Sequence, residues 1–191
     1  SAGEIDVYKA EKRYLRPDGT AVWVKMTSSM MAGEGDEPTH YLTLIEDITE
    51  LLAPRAHAKG IEIACHVSRH CPAIVRGDEL RLRQVLLNLA GNAIKFTEAG
   101  GVAITVNCAE GDADRIHFEL RDTGIGMSHE ELGRVFEDFV QAGVDTVRRF
   151  GGTGLGLPIA RKLVGLMGGA LHVESRPGEG TVFTFTIALP S

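Results

Sequence analysis

Apolar positions recur in two rhythms along this chain, and each change of rhythm marks a new element. Residues 84–97, QVLLNLAGNAIKFT, carry a helical one. At about 3.6 residues per turn, Leu82, Leu86, Leu89 and Ala93 fall on one stripe suited to a core. Asn88, Asn92 and Lys95, at i, i+4 and i+7, share a second face of the same helix. Asp78 stands where an N-cap is needed. A second helical pattern covers residues 156–166, with Leu157, Ile159, Ala160, Leu163, Val164 and Met167 mostly inward and Gly168-Gly169 as its stop. A short helix is expected at 129–135 behind Ser128, and residues 45–50 can either end a strand or open another helix through Leu51, Leu52 and Ala56 that Lys59-Gly60 ends.

Alternation with a period of two predicts the strands. Residues 5–16, 22–31 and 40–45 read as three of them, with turn chemistry at Pro17-Asp18-Gly19-Thr20 and a polar loop at 32–39. Further strands are expected at 61–67, 102–107, 116–121, 170–174 and 181–189, the last two joined by the turn Arg176-Pro177-Gly178-Glu179-Gly180. Residues 136–152 have no clean period and are long enough for a mobile lid. The mixture predicts an α+β fold.

Composition narrows the function classes. The chain has 191 residues, enough for one domain or one and a half. Its 20 basic and 26 acidic residues give a net charge of -6, which speaks against a nucleic-acid partner. Cys65, Cys71 and Cys108 are an odd set without a CxxC pair, as expected of free thiols in a reducing cytoplasm. No apolar run is long enough to span a bilayer and no signal-peptide pattern opens the chain. A cytoplasmic piece is expected, whose longer parent could be membrane-anchored.

Three stretches carry chemistry. Amide oxygens suit Mg²⁺ and an ammonium suits phosphate, so Asn88, Asn92 and Lys95 can meet a metal-bound anion. A solvated helix face is the competing reading. In Asp122-Thr123-Gly124-Ile125-Gly126-Met127 a carboxylate at a strand end can accept from an exocyclic amine, and two glycines admit a flat ligand. A plain surface turn remains open. Gly152, Gly154 and Gly156 lead directly into a helix, where backbone N–H groups and the helix dipole favour an anion. This stretch matches neither the dinucleotide fingerprint nor the P-loop.

Taken in order, the asparagine-rich helix, DxGxG, the lid, the GxGxG helix start and GEGTVF resemble the ATP-binding catalytic domain of sensor histidine kinases. That domain belongs to the Bergerat-fold group, which also holds Hsp90-, MutL- and gyrase-type ATPases. The resemblance covers roughly residues 47–190 and implies a Bergerat-type α/β sandwich over 49–191, a mixed sheet with helices on one face. It implies ATP and Mg²⁺ as cofactors, with Asn92 the metal ligand and Asn88 and Lys95 the catalytic pair beside the triphosphate. Asp122 would take the adenine amine, and Gly124 and Gly126 would let the base approach. Phe136 and Phe139 match the family's F box and would anchor the lid. Gly152, Thr153, Gly154, Leu155 and Gly156 would form the phosphate-side hinge. Gly178, Gly180 and Thr181 match the last box, more structural than chemical. Arg148 and Arg149 could reach the phosphates from the lid or be solvated charges.

Position 88 discriminates within the group. The hydrolase branches carry a glutamate four residues before the metal asparagine, a base that activates water. Asn88 stands there in this chain, and an amide is a poor base, so the resemblance implies phosphoryl transfer rather than hydrolysis. A nucleotide-binding regulatory module without transfer is the alternative, and an ATP hydrolase a less favoured one.

At the other end, RYLRPDGTAVWVKMTSSMM and HYLTLIEDITE resemble the C-terminal half of a PAS sensor domain. Residues 1–48 are thus expected to be a three-stranded antiparallel PAS-like remnant, to which no ligand is assigned. The resemblance also implies a dimerising hairpin that bears the phosphoacceptor histidine, a response regulator downstream, and a homodimeric parent. None of the seven histidines has the acceptor context, and IEDITELLAP runs straight on from the PAS-like end. The hairpin is expected to be missing from this chain or separate from it.

Overall fold

A sheet whose strands alternate apolar and polar residues has one face to cover, and helices cover it here. The computed structural model describes residues 6–15, 21–30, 41–68, 70–72, 75–109, 112–137 and 154–190. Strands β3 (Glu62–Val67), β4 (Gly101–Ala109), β5 (Asp112–Asp122), β6 (Leu171–Arg176) and β7 (Gly180–Ala188) form one sheet in the order β3-β4-β5-β7-β6. Only β3 and β4 are parallel; the other pairs are antiparallel. A parallel pair needs a crossover. Helix α2 (Glu79–Phe96) provides it and packs on β4 and β5. Helix α1 (Tyr41–Ala58) lies beside α2 and β3, and α4 (Gly156–Leu166) lies beside α2 and β6. The short α3 (His129–Arg134) sits near β6 and opens on a capping box, Ser128 and Glu131 each bonding the other's backbone N–H.

The core is the meeting of those layers. Val102, Ile104 and Val106 of β4, Ile116, Phe118 and Leu120 of β5, and Phe183, Phe185 and Ile187 of β7 point inward. Against them α2 sets Leu82, Val85, Leu86, Leu89, Ala90, Ala93 and Ile94, so the predicted stripe is the buried one. The Phe118 and Phe185 rings stack at the centre, 4.7 Å between centroids and 8° from parallel. The α+β sandwich with a mixed sheet is the observed architecture.

Two expectations are corrected. Residues 40–45 were expected as a third strand, but Tyr41 to Ile45 belong to α1, and His40 lies outside the described residues. Tyr41, Thr43 and Ile45 alternate as a strand would, yet Leu44, Ile45, Ile48, Leu52 and Ala56 also form a helical stripe. All five of these are buried in the main core. Burial along the whole stripe outweighs local alternation over five residues. The expected three-stranded remnant is therefore, among the described residues, a two-stranded antiparallel pair, β1 (Asp6–Leu15) with β2 (Ala21–Met30). The expected boundary at 48/49 falls inside α1. The second correction is Ile159, named in a set expected to be mostly inward but itself 42% exposed on α4, where Ala160 and Val164 fill the buried stripe.

Phe118→Ala removes one ring of the stacked pair from a site with no free volume. It should lower unfolding free energy by about 3–5 kcal/mol in a urea titration, with the native far-ultraviolet spectrum retained at zero urea.

Candidate functional site

β5 ends on a carboxylate that the fold has almost removed from water. Asp122 is 5% exposed, and its Oδ1 accepts from the backbone N–H of Gly124 (2.9 Å) and of Thr181 (3.2 Å). Burial pushes its pKa above the ordinary aspartate value, and the two N–H groups pull more weakly the other way. Both bonds land on Oδ1, so Oδ2 is the acceptor left for a ligand. A Cβ at position 124 would lie 2.6 Å from the Phe96 carbonyl oxygen and 2.9 Å from Asp122 Oδ1, so only glycine closes this loop. Ile125 N–H donates to that same Phe96 carbonyl at 3.2 Å, which fastens the loop to the end of α2.

The turn between β6 and β7 backs the loop. Gly178 N–H donates to the Ile125 carbonyl at 2.8 Å. Ser175 Oγ donates to the Gly180 carbonyl (2.8 Å), lies 3.0 Å from Thr181 Oγ1 and accepts from Met127 N–H (2.9 Å). Gly180 has φ 95°, and a Cβ there would collide with the Asp122 carbonyl oxygen. Gly126 also has positive φ, 65°. Thr181 thus serves Asp122 through its backbone, while its hydroxyl is spent on Ser175. Sequence reasoning missed Ser175; an inward serine at a strand end next to a glycine turn was the available signal.

The second wall is the polar face of α2 and the start of α4. Asn88 bridges them: its Nδ2 donates to the Gly156 carbonyl (3.2 Å) and its Oδ1 accepts from Gln84 Nε2 (3.0 Å). Asn92 lies one turn on, its Nδ2 3.6 Å from where a Cβ on Gly156 would stand. Its carboxamide bonds to none of the described residues and remains available. Lys95 lies with its Nζ 4.6 Å from the centre of the Phe96 ring, and burial pushes its pKa below the ordinary lysine value. Leu155, at the N-cap of α4, makes no side-chain cap bond, and Gly154 before it has φ 71°. The first N–H groups of α4 suit an anion. Phe136 packs against the core, with the Arg161 guanidinium of α4 5.1 Å from its ring centre, a contact sequence reasoning did not anticipate. Phe139, Arg148, Arg149, Gly152 and Thr153 lie outside the described residues.

The donor set tests whether Mg²⁺ fits. Among the described residues no group of three His, Cys, Asp or Glu could hold a metal ion. The Asn92 amide oxygen is a hard, neutral ligand on a side chain that lies beside the α4 start, which suits a cation that brings most of its ligands as water and phosphate.

Residues 77–191 match the family model described as histidine kinase-, DNA gyrase B- and HSP90-like ATPase. The chain is 41% identical over 155 residues to the sensor histidine kinase GacS of Pseudomonas protegens, covering 80% of this chain and 17% of that protein. It is 43% identical over 147 residues to the histidine-protein kinase BarA of Escherichia coli K12, covering 76% of this chain and 16% of that protein. Among solved structures it resembles full-length ShkA in complex with AMPPNP, with a TM-score of 0.71 and 43% identity, over 84% of this chain and 33% of that one. The chain spans about a sixth of the length of the curated relatives it matches.

Gly180→Ala meets both a forbidden φ and the Asp122 carbonyl. It should cost about 1–3 kcal/mol of stability in denaturant unfolding. It should also free the Thr181 N–H, seen as faster exchange of that amide.

Proposed function

Because the chain belongs to the family of histidine kinase-, DNA gyrase B- and HSP90-like ATPases, we propose that its α/β sandwich is the ATP-binding catalytic part of a two-component sensor histidine kinase. It binds ATP between the Asp122 loop, α2 and the start of α4. It delivers the γ-phosphoryl to a histidine on a dimerisation hairpin outside the described fold, from which an aspartate of a response regulator receives it.

The roles follow from the chemistry of each group. The adenine amine donates to Asp122 Oδ2, and the base lies against the backbone of Gly124 and Gly126, two positions that present no side chain. The phosphates face the N–H groups opening α4 and the Lys95 ammonium, whose lowered pKa reflects a charge short of solvation. Asn92 would hold Mg²⁺ through its amide oxygen, and the ion, when bound, offsets phosphate charge. Asn88 keeps α4 at the right distance from α2. Phe136 anchors the last described residues before the 138–153 segment, and Phe139, Arg148, Arg149, Gly152 and Thr153 of that segment are proposed as further nucleotide contacts.

The observation that carries transfer over hydrolysis is Asn88. Both halves of its carboxamide are engaged within the protein, and neither can take a proton from water. In the parent, β1 and β2 are the remnant of a PAS-like sensor and the hairpin makes a homodimer. No helix among the described residues is long and apolar enough to cross a membrane. The ATP site works on the cytoplasmic side, where ATP is.

Calorimetric titration tests the nucleotide reading, and phosphotransfer to a supplied hairpin domain tests the kinase reading. Asn92→Ala should lower Mg²⁺-dependent ATP affinity by about tenfold or more, on the scale of lost metal-site groups. Unchanged affinity contradicts the metal-ligand role. Binding without transfer would favour a regulatory module, and steady phosphate release by the chain alone would favour a hydrolase.

The pH dependence has a defined sign. The adenine amine needs the carboxylate form of Asp122, so ATP affinity should fall as pH drops through its raised pKa, starting above the ordinary aspartate range. Stability runs the other way. The folded state holds that proton more tightly than the unfolded state, so this group's contribution to stability falls as pH rises through the same window. Asp122→Asn should bind ATP weakly and lack this pH step, which separates Asp122 from titration of the nucleotide itself.

A further inference from the structure

A helix ends with carbonyls that have no partner inside it, and a buried end must find donors elsewhere. The last turn of α2 can be accounted for group by group. The Ala93 carbonyl accepts from Thr97 N–H (3.0 Å) and from Thr97 Oγ1 (2.7 Å), and Thr97 itself is fully buried. The Phe96 carbonyl accepts from Ile125 N–H of the Asp122 loop at 3.2 Å. The carbonyls of Ile94, Lys95 and Thr97 all accept from one group, the Lys59 ammonium, at 2.7, 2.8 and 2.7 Å. An ammonium has three N–H donors, and these bonds use all three. The charge also complements the negative end of the helix dipole.

Lys59 comes from outside α2. It lies in the turn that closes α1, where its N–H donates to the Ala56 carbonyl (3.0 Å) and Gly60 N–H to the His57 carbonyl (2.9 Å). Two donors from different parts of the chain therefore share one helix end: Lys59 on three carbonyls and Ile125 on the one between them. The carbonyl that Ile125 grips is also the one that leaves no room for a side chain at Gly124.

We propose that Lys59 is a positioning residue of the nucleotide site: its ammonium holds the last turn of α2 where the Phe96 carbonyl anchors the Asp122 loop. This rests on the reading of that loop as the adenine site. Lys59 touches no ligand. It acts through Phe96 and Ile125 on Gly124 and Asp122, and through the same turn it fixes the backbone that carries Lys95. Without it the Ile94, Lys95 and Thr97 carbonyls lose the charged donor they share, the turn loosens, and the acceptor for Ile125 N–H moves.

The test is Lys59→Met, which keeps the length and apolar stem and removes every donor. The control is Ile187→Val, a mild core change remote from the loop that lowers stability alone. ATP affinity is read by calorimetry, and the Ile125 amide by hydrogen exchange, both well below the unfolding transition. Lys59→Met should weaken ATP binding about three- to tenfold, the scale of an exposed charge-assisted contact, and speed Ile125 exchange by a comparable factor. Ile187→Val should leave both near wild type. If Lys59→Met moves affinity and exchange no more than the control does, the positioning role is overturned and Lys59 merely stabilises. Should Lys59→Met fail to fold, Lys59→Gln, which keeps donors but not three on one charge, is read the same way. A wild-type chain that binds no ATP defeats the nucleotide reading, and the exchange arm then decides alone whether Lys59 holds the loop.

Discussion

A carboxylate removed from water must find donors, and the demand made by Asp122 organises everything near it. Its donors come from two places far apart in sequence, Gly124 just beyond the strand and Thr181 on β7. The pairing of β5 with β7 places Asp122 directly across from Thr181, so sheet register sets the site geometry. Two glycines are then forced. Position 124 must let the loop fold back onto the Phe96 carbonyl, and position 180 must let the turn touch the Asp122 carbonyl. Each is a consequence of satisfying one side chain while leaving its second oxygen open.

Helix α2 ties that constraint to the rest of the molecule. One stripe is buried against the sheet, and its C-terminal carbonyls are capped by Lys59 and Ile125. The other stripe faces the start of α4, held there by the Asn88 bond to Gly156. Hydrophobic packing therefore sets where the helix lies, and polar contacts at its end and side set what it presents. The partly buried Lys95 ammonium loses solvation in this arrangement, which lowers its pKa.

Much of this was legible in the sequence because the signals were local or strongly periodic. The α2 stripe, the Asp78 cap, the Ser128 cap, the glycine stops and the alternation of β4, β5 and β7 each follow from a few adjacent residues. The failures share a different cause. Residues 41–45 alternate like a strand over a short window, and only the partners of Leu44 and Ile45 in the folded core decide for helix. Ile159 lies on an apolar face by count, but α4 is covered by α2 and β6 on a narrower stripe. Ser175 and Arg161 went unread, and Lys59 was read only as a helix stop, because their importance lies in contacts across 6, 25 and 35 or more residues, which no local pattern announces.

Asn88 shows how the fold and the chemistry share one residue. It faces an acceptor on one side, the Gly156 carbonyl, and a donor on the other, the Gln84 amide. A carboxamide satisfies both at once because it carries an NH₂ and a carbonyl oxygen. An ionised glutamate offers acceptors only, and against the Gly156 carbonyl it would set lone pair against lone pair at a distance where a bond now forms. The α4 start would have to move away to accommodate it. In this chain the amide at position 88 is therefore more than a missing base. The same side chain that is a poor base for water is the one that holds the glycine-led helix start against α2, so the proposed phosphate site and the proposed preference for transfer would both rest on a single residue.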